Sequence, residues 1–332
     1  MFKNKIFWFC LGLSFLIILS VLGWYGYGEY RVKNETRSVL REATISFFSP
    51  KPRTKKTTVE PIILIATGDI LLGRAVNYRT VVKNNFDWPF ENIQSILKAS
   101  DITFINLEGP LIKNCILTEI GMRFCGDIRN AEGLVNSGVD VVNLANNHAG
   151  DYGAEGVKET IELLNSKGIK TIGTGEAEII EVKGQKLAFL GYNHISGHSS
   201  AGIAWADEES IVEDIKAVRK ITDIVIVSFH WGVEYVTQPT VKQKELAHLA
   251  IDSGADLIIG NHPHWIQPVE EYKGKTIIYA LGNVVMDQMW SLKTRQGEIA
   301  KFVFKDKKLI DMKLIPVQIE DYGQPKLITK NI

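Results

Sequence analysis

Five short apolar runs, each followed by a polar residue of a kind that binds metal ions, constrain this 332-residue chain more than any other feature. The runs cover residues 62–67, 102–106, 139–144, 224–229 and 257–259. Just beyond them stand Asp69, Glu108, Asn147 with His148, His230, and the pair His262 and His264. Apolar runs alternating with helix-period segments predict an α/β fold with a parallel-cored sheet. In such a sheet, ligands bind outside the carboxyl ends of the strands. The five strands are therefore expected to carry carboxylates, an amide and imidazoles to one edge. That donor set suits divalent ions such as Mn²⁺, Zn²⁺ or Fe²⁺. A lone histidine after a strand is more often a packed or surface residue. Five such coincidences in sequence order point instead to a metal site.

Around these runs, helices are expected over residues 89–100, 130–138, 152–167, 207–219 and 241–253. Hairpin turns at 183–186 and 272–275, and a closing pair of strands within 298–317, add antiparallel members. The expectation is a mixed sheet core with flanking helices.

The N-terminus has a different character. Residues 6–21 are nearly unbroken apolar sequence, and 22–27 extend the run to about the 20 residues that cross a bilayer core. Lys3 and Lys5 precede it, and Trp24, Tyr25, Tyr27 and Tyr30 form an aromatic belt at its far end. The run has no small-residue cleavage motif behind it. Residues 1–28 are accordingly expected to be a cytoplasmic N-terminus and a single-pass transmembrane signal anchor at the cell membrane. Residues 29–60, polar and carrying Ser49-Pro50-Lys51-Pro52, form an extracytoplasmic tether. Residues 61–332 form the folded domain outside the cytoplasm. Lys plus Arg and Asp plus Glu balance at 38 each, so the chain lacks the basic surface on which nucleic-acid binding relies. Balance does not exclude an anionic substrate, because bound metal ions supply their own positive charge. Cys115 and Cys125 share one short loop, and export favours a disulfide between them over two buried free thiols.

The motifs are most specific as a series. Thr67-Gly68-Asp69 is common alone. Asn106-Leu107-Glu108-Gly109-Pro110 adds a carboxylate, Asn143-Leu144-Ala145-Asn146-Asn147-His148 an amide beside an imidazole, and Ser228-Phe229-His230-Trp231-Gly232 another imidazole. In Gly260-Asn261-His262-Pro263-His264, proline fixes φ and extends the turn, so that alternate side chains can reach one site. In this order the motifs resemble those of the calcineurin-like metallophosphoesterases, and within them the capsule-synthesis CapA family linked to poly-γ-glutamate capsules. Tyr279-Ala280-Leu281-Gly282-Asn283 resembles that family's C-terminal signature, and the resemblance spans roughly residues 62–287.

The resemblance implies two divalent ions. Glu108 would bridge them, Asp69 and His264 would hold the first, and Asn147, His230 and His262 the second. His148 would face the substrate and donate a proton to the leaving oxygen. Asp151 would orient that imidazole or cap the turn. Arg74 would bind phosphate bidentately or pair with a carboxylate. The implied partners are the membrane, other membrane proteins of capsule or polymer synthesis, and an anionic polymer or phosphoester substrate. Two positions depart from the broader superfamily. The usual D-x-H block reads Asp69-Ile70-Leu71, and the bridging aspartate is Glu108. The first ion would then keep only three protein ligands. Three readings stand: a surface-anchored metallophosphoesterase, a component of envelope-polymer synthesis in which hydrolysis is incidental, and a non-catalytic scaffold on a decayed phosphatase fold.

Overall fold

The computed structural model describes residues 18–29, 31, 33, 60–196 and 202–328. In chain order the domain contains β1 (Ile62–Ile70), α1 (Arg74–Lys83), α2 (Gln94–Leu97), β2 (Ile102–Leu107), β3 (Leu111–Ile112), β4 (Gly126–Asp127), α3 (Asn130–Asn136), β5 (Val141–Asn143), α4 (Gly153–Ser166) and β6 (Lys170–Ile172). It continues through β7 (Glu178–Val182), β8 (Gln185–Asn193), α5 (Glu208–Arg219), β9 (Ile224–His230), α6 (Val241–Ser253), β10 (Leu257–Asn261), β11 (Ile266–Tyr272), β12 (Lys275–Leu281), β13 (Asn283–Val285), β14 (Gln296–Lys305), β15 (Lys308–Glu320) and β16 (Gln324–Leu327).

The five strands foreseen from the sequence divide between two sheets. The first runs β16-β15-β14-β1-β2-β5-β6, with β13 parallel to the end of β1, and the second runs β11-β12-β10-β9-β8-β7. Side-chain alternation explains how they stack. Ile62, Leu64 and Ala66 of β1 share a buried cluster with Ile224 and Ile226 of β9 and with Leu257 and Ile259 of β10. The opposite faces of the same strands, Ile65 in β1 and Val225, Val227 and Ile258 in β9 and β10, lie in two separate clusters. The first outer cluster takes Val76, Ala131, Leu134 and Leu164 from α1, α3 and α4. The second takes Ile211, Ile215, Leu246 and Ala250 from α5 and α6. The domain is thus helix, sheet, sheet, helix. Strands buried on both faces read as continuous apolar runs, as parallel strands do.

Local signals set the helix ends. Asp207 accepts from the Ser210 amide at the start of α5, and Thr240 with Gln243 forms a capping box on α6. The helix expected over 89–100 shrinks to the four residues of α2. Before it, Phe90 N bonds Asp87 O and Ile93 N bonds Phe90 O, three-residue closures in place of a regular helical ladder. The hairpins at 183–186 and 272–275 and the β14–β15 pair form as expected.

Residues 18–29 are helical. Among the described residues no helix is long and apolar enough to cross a membrane. Most of the anchor expected at residues 6–27, and nearly all of the 29–60 tether, lie outside the described residues.

Candidate metal centre

The two sheets present their carboxyl ends to one buried seam. Asp69 belongs to β1, where the pairing with β2 slips between Ala66 and Asp69. A Cβ on Gly68 would lie 2.2 Å from the Gly282 carbonyl oxygen, so only glycine lets β1 make this approach. Glu108 follows β2, Asn147 and His148 follow β5, His230 ends β9, and His262 and His264 follow β10. All seven side chains are buried.

Their polar atoms converge in two groups. In the first, His230 Nε2 lies 2.8 Å from Asn147 Oδ1 and 3.2 Å from His262 Nδ1. Ligand bonds near 2 Å leave neighbouring donor atoms about 3 Å apart, so this spacing fits a cation. Burial pushes both imidazoles well below the usual histidine range, with neighbouring imidazoles adding to the effect. They are held neutral, the form that binds metal. In the second group, Asp69, Glu108 and His264 offer ligand atoms that all lie within 4.8 Å of one another. Both carboxylate oxygens of Glu108 are buried without a hydrogen-bond partner among the described residues. Such an orphaned carboxylate is costly, and a cation among these three side chains would satisfy it. Burial pushes the Glu108 carboxyl up to about 8, with Asp69 adding and His264 opposing. For His264, burial works downward, but Glu108 and Asp69 outweigh it and lift the ring to about 9. The residues present fit divalent ions.

Hydrogen bonds behind these atoms fix their aim. Asn106 Nδ2 donates to Asp69 Oδ1 at 2.8 Å and sits 3.4 Å from His230 Nδ1, joining the two sheets. His264 Nδ1 lies 2.9 Å from Asn283 Oδ1, while His264 Nε2 faces Glu108 Oε1 at 3.7 Å. His262 and His264 both hold positive φ, 98° and 57°. Such backbone costs about 1–3 kcal/mol per residue, and the bond from His262 N to Asp69 Oδ2 helps to hold it.

His148 stands at the edge of the seam. Its Nδ1 lies 2.9 Å from Asp151 Oδ2, and the Phe124 ring stacks on it at 3.8 Å. The Phe124 amide donates to the same Asp151 oxygen. Phe124 sits beside Cys125, which is disulfide-bonded to Cys115 with Cα atoms 5.6 Å apart. Arg74, at φ 47°, forks onto the two oxygens of Asp287 and lies over the Phe124 ring. Leu71, where the superfamily pattern has an imidazole, packs with Phe124, Met286 and Ile319. The sequence alone singles out neither Asn106 nor Glu234 as a site residue, and names Asn283 only as the end of the C-terminal signature. Asn106 was discernible, since it lies two residues before Glu108 in one extended segment and so shares its face.

Residues 63–288 match the family described as bacterial capsule synthesis protein PGA_cap. The PGA biosynthesis protein CapA of Bacillus subtilis is 32% identical over 286 residues, covering 81% of this chain and 75% of that protein. The capsule biosynthesis protein CapA of Bacillus anthracis is 30% identical, covering 81% and 70%. Among solved structures, a novel phosphatase from Mycoplasma pneumoniae superposes with a TM-score of 0.52 over 79% of this chain and 95% of its own, at 15% identity. A hypothetical protein from Thermus thermophilus gives 0.51 over 78% and 100%, also at 15%. At that identity the structural likeness concerns the fold, which is phosphatase-like.

Proposed function

The chain belongs to the bacterial capsule synthesis protein family PGA_cap, and from that premise we propose that it is a membrane-anchored component of poly-γ-glutamate or related envelope-polymer synthesis that retains a dinuclear metallophosphoesterase-type site. The observation that carries the site is Glu108, a fully buried carboxylate beside Asp69 and His264 whose two oxygens accept no hydrogen bond among the described residues. The anchor draws its support from the apolar run at residues 6–27 and from the described helical stretch, which leaves Leu22, Trp24 and Tyr25 exposed.

Asp69, Glu108 and His264 would hold one ion, and Asn147, His230 and His262, with Glu108, a second. When bound, such ions supply Lewis-acid stabilisation of phosphoryl charge and a nucleophile at neutral pH. The protein's own part is geometric. The Asn283 bond sets the tautomer and direction of His264. Asp151 holds the His148 ring, so that the proton offered to a leaving oxygen is carried at Nε2. Phe124 covers one face of that ring. Arg74 is engaged by Asp287 through Nε and Nη2, so a bidentate grip on a phosphate through those two atoms would mean exchanging that partner.

A second reading, a non-catalytic scaffold or polymer-binding protein, takes its support from Leu71, whose apolar packing removes one ligand from the first ion. Metal analysis of the purified chain, a phosphoester substrate screen and a capsule assay on a deletion strain separate the two. Bound metal with hydrolysis, and a capsule defect rescued by wild type but not by His148→Ala, supports the enzyme. Equal rescue by both, with no hydrolysis under any divalent metal, moves the scaffold reading ahead.

A further inference from the structure

Glu234 stands outside the series of strand-end ligands, yet its carboxylate forms a cluster with His262 and His264 in which all ligand atoms lie within 4.8 Å of one another. His264 belongs at the same time to the buried cluster with Asp69 and Glu108. The two clusters therefore overlap at one imidazole, one buried throughout and the other open to solvent through Glu234.

The loop that carries Glu234 is fixed to the same turn. Gly232 at φ 89° and Tyr235 at φ 61° bracket it in left-handed conformations. A Cβ on Gly232 would lie 2.6 Å from the Gln243 side-chain amide, so a larger residue there would be strained by its positive φ and would have to displace that amide. Tyr235 N donates to Pro263 O at 2.8 Å, between the two histidines. The Tyr235 ring stacks on His264 with centroids 6.0 Å apart, and its hydroxyl is 3.4 Å from Gln288 Nε2. A non-glycine residue held at positive φ is strained, and strain of this kind persists where surrounding contacts over-determine it. Here those contacts hold the loop against the two imidazoles.

The geometry points to Glu234 as a further protein ligand of the divalent centre, reaching it from the open face beside His262 and His264. It supplies an anionic donor to a centre that lost an imidazole at Leu71, and a carboxylate suits Mn²⁺ or Zn²⁺. As the solvent-facing member, it is also the donor that an incoming anion would displace. The inference rests on the metal-site reading above, and the test separates the two.

Equilibrium dialysis with Mn²⁺ and the visible absorption bands of the Co²⁺-loaded chain are compared for wild type, Glu234→Gln and the surface control Glu271→Gln. Glu234 is exposed, so the amide variant is expected to fold as wild type, which circular dichroism checks. The expected result is a loss of affinity for the weaker ion of about tenfold or more, the scale that even outer partners of metal ligands command. Altered Co²⁺ bands should accompany it in Glu234→Gln alone. Wild-type affinity and bands in Glu234→Gln would overturn the inference while leaving the metal site intact. A wild type that binds neither ion overturns both.

Discussion

The Nδ1 atom of His264 lies 2.9 Å from the Oδ1 atom of Asn283, and that contact turns the opposite ring nitrogen toward Glu108. The Nδ2 atom of Asn283 donates to Thr294 O at 2.8 Å, which assigns Oδ1 as the acceptor and Nδ1 of the imidazole as the donor. Asn283 is therefore a positioning residue. Asn283→Ala should lower metal affinity about 10- to 100-fold. Dialysis titration reads the change, and unaltered affinity would show that the ring is held by other means.

The pH dependence of the metal-free protein follows from Glu108, raised to about 8, and His264, raised to about 9. Both folded-state values exceed the unfolded ones, so each group's stability contribution is full at low pH and is lost as pH rises through the folded value. His230 and His262 move the other way. Their contribution is present above the ordinary histidine value and lost below it. Between pH 6.5 and about 9 only the first pair changes, and the melting temperature of the metal-free chain should fall across that window. Metal binding there should release protons, because its ligands must give them up. Calorimetry in buffers of different ionisation enthalpy measures that release, and Glu108→Gln should reduce it.

His148→Ala should keep its metal and lose about 10²- to 10⁴-fold in rate on esters with poor leaving groups. Activated aryl phosphates need little leaving-group protonation and should suffer much less. A uniform loss across both substrate types would remove the proton-donor role.

The Cys115–Cys125 bridge closes a short loop, with a sequence separation of 10, and should contribute about 2–3 kcal/mol to stability. Its loss in the Cys115→Ser/Cys125→Ser double variant should also slow turnover beyond the stability effect, because Phe124 then no longer holds His148 and Asp151 from a fixed backbone. Denaturant titration and kinetics at a temperature where both proteins are folded read the two effects separately. Equal turnover would confine the bridge to stability.

A reporter fused at Ile332 tests the proposed topology. An alkaline phosphatase fusion, active only after export, should be active. A strong signal from a cytoplasm-only reporter would refute both the orientation and the anchor.

The strand ends were legible because each candidate ligand follows its apolar run within a few residues, and chain order alone then places Asp69, Glu108, Asn147, His230, His262 and His264 at strand termini. The division into two sheets was not. A run such as residues 224–229, buried on both faces, reads alike whether helices or a second sheet cover it. The choice is made by non-local contacts such as Phe104 against Phe189, whose rings stack at 6.0 Å. Glu234 was hidden for a related reason. It lies in a loop with no periodicity, and long-range contacts such as the backbone bond from Tyr235 to Pro263 and the stacking of Tyr235 on His264 bring it to the histidines. The partner of Arg74 was equally remote, since Asp287 lies 213 residues away.

The proposed ligands come from both halves of the molecule: Asp69, Glu108 and Asn147 follow or end strands of the first sheet, His230, His262 and His264 strands of the second. An ion held between them would then be a rivet, whatever chemistry it also supplied. Neither sheet could peel away without surrendering its share of the coordination, so occupancy would tie the unfolding of each half to that of the other. For a domain proposed to work outside the cytoplasm, that coupling would slow the partial openings that expose a chain to proteases.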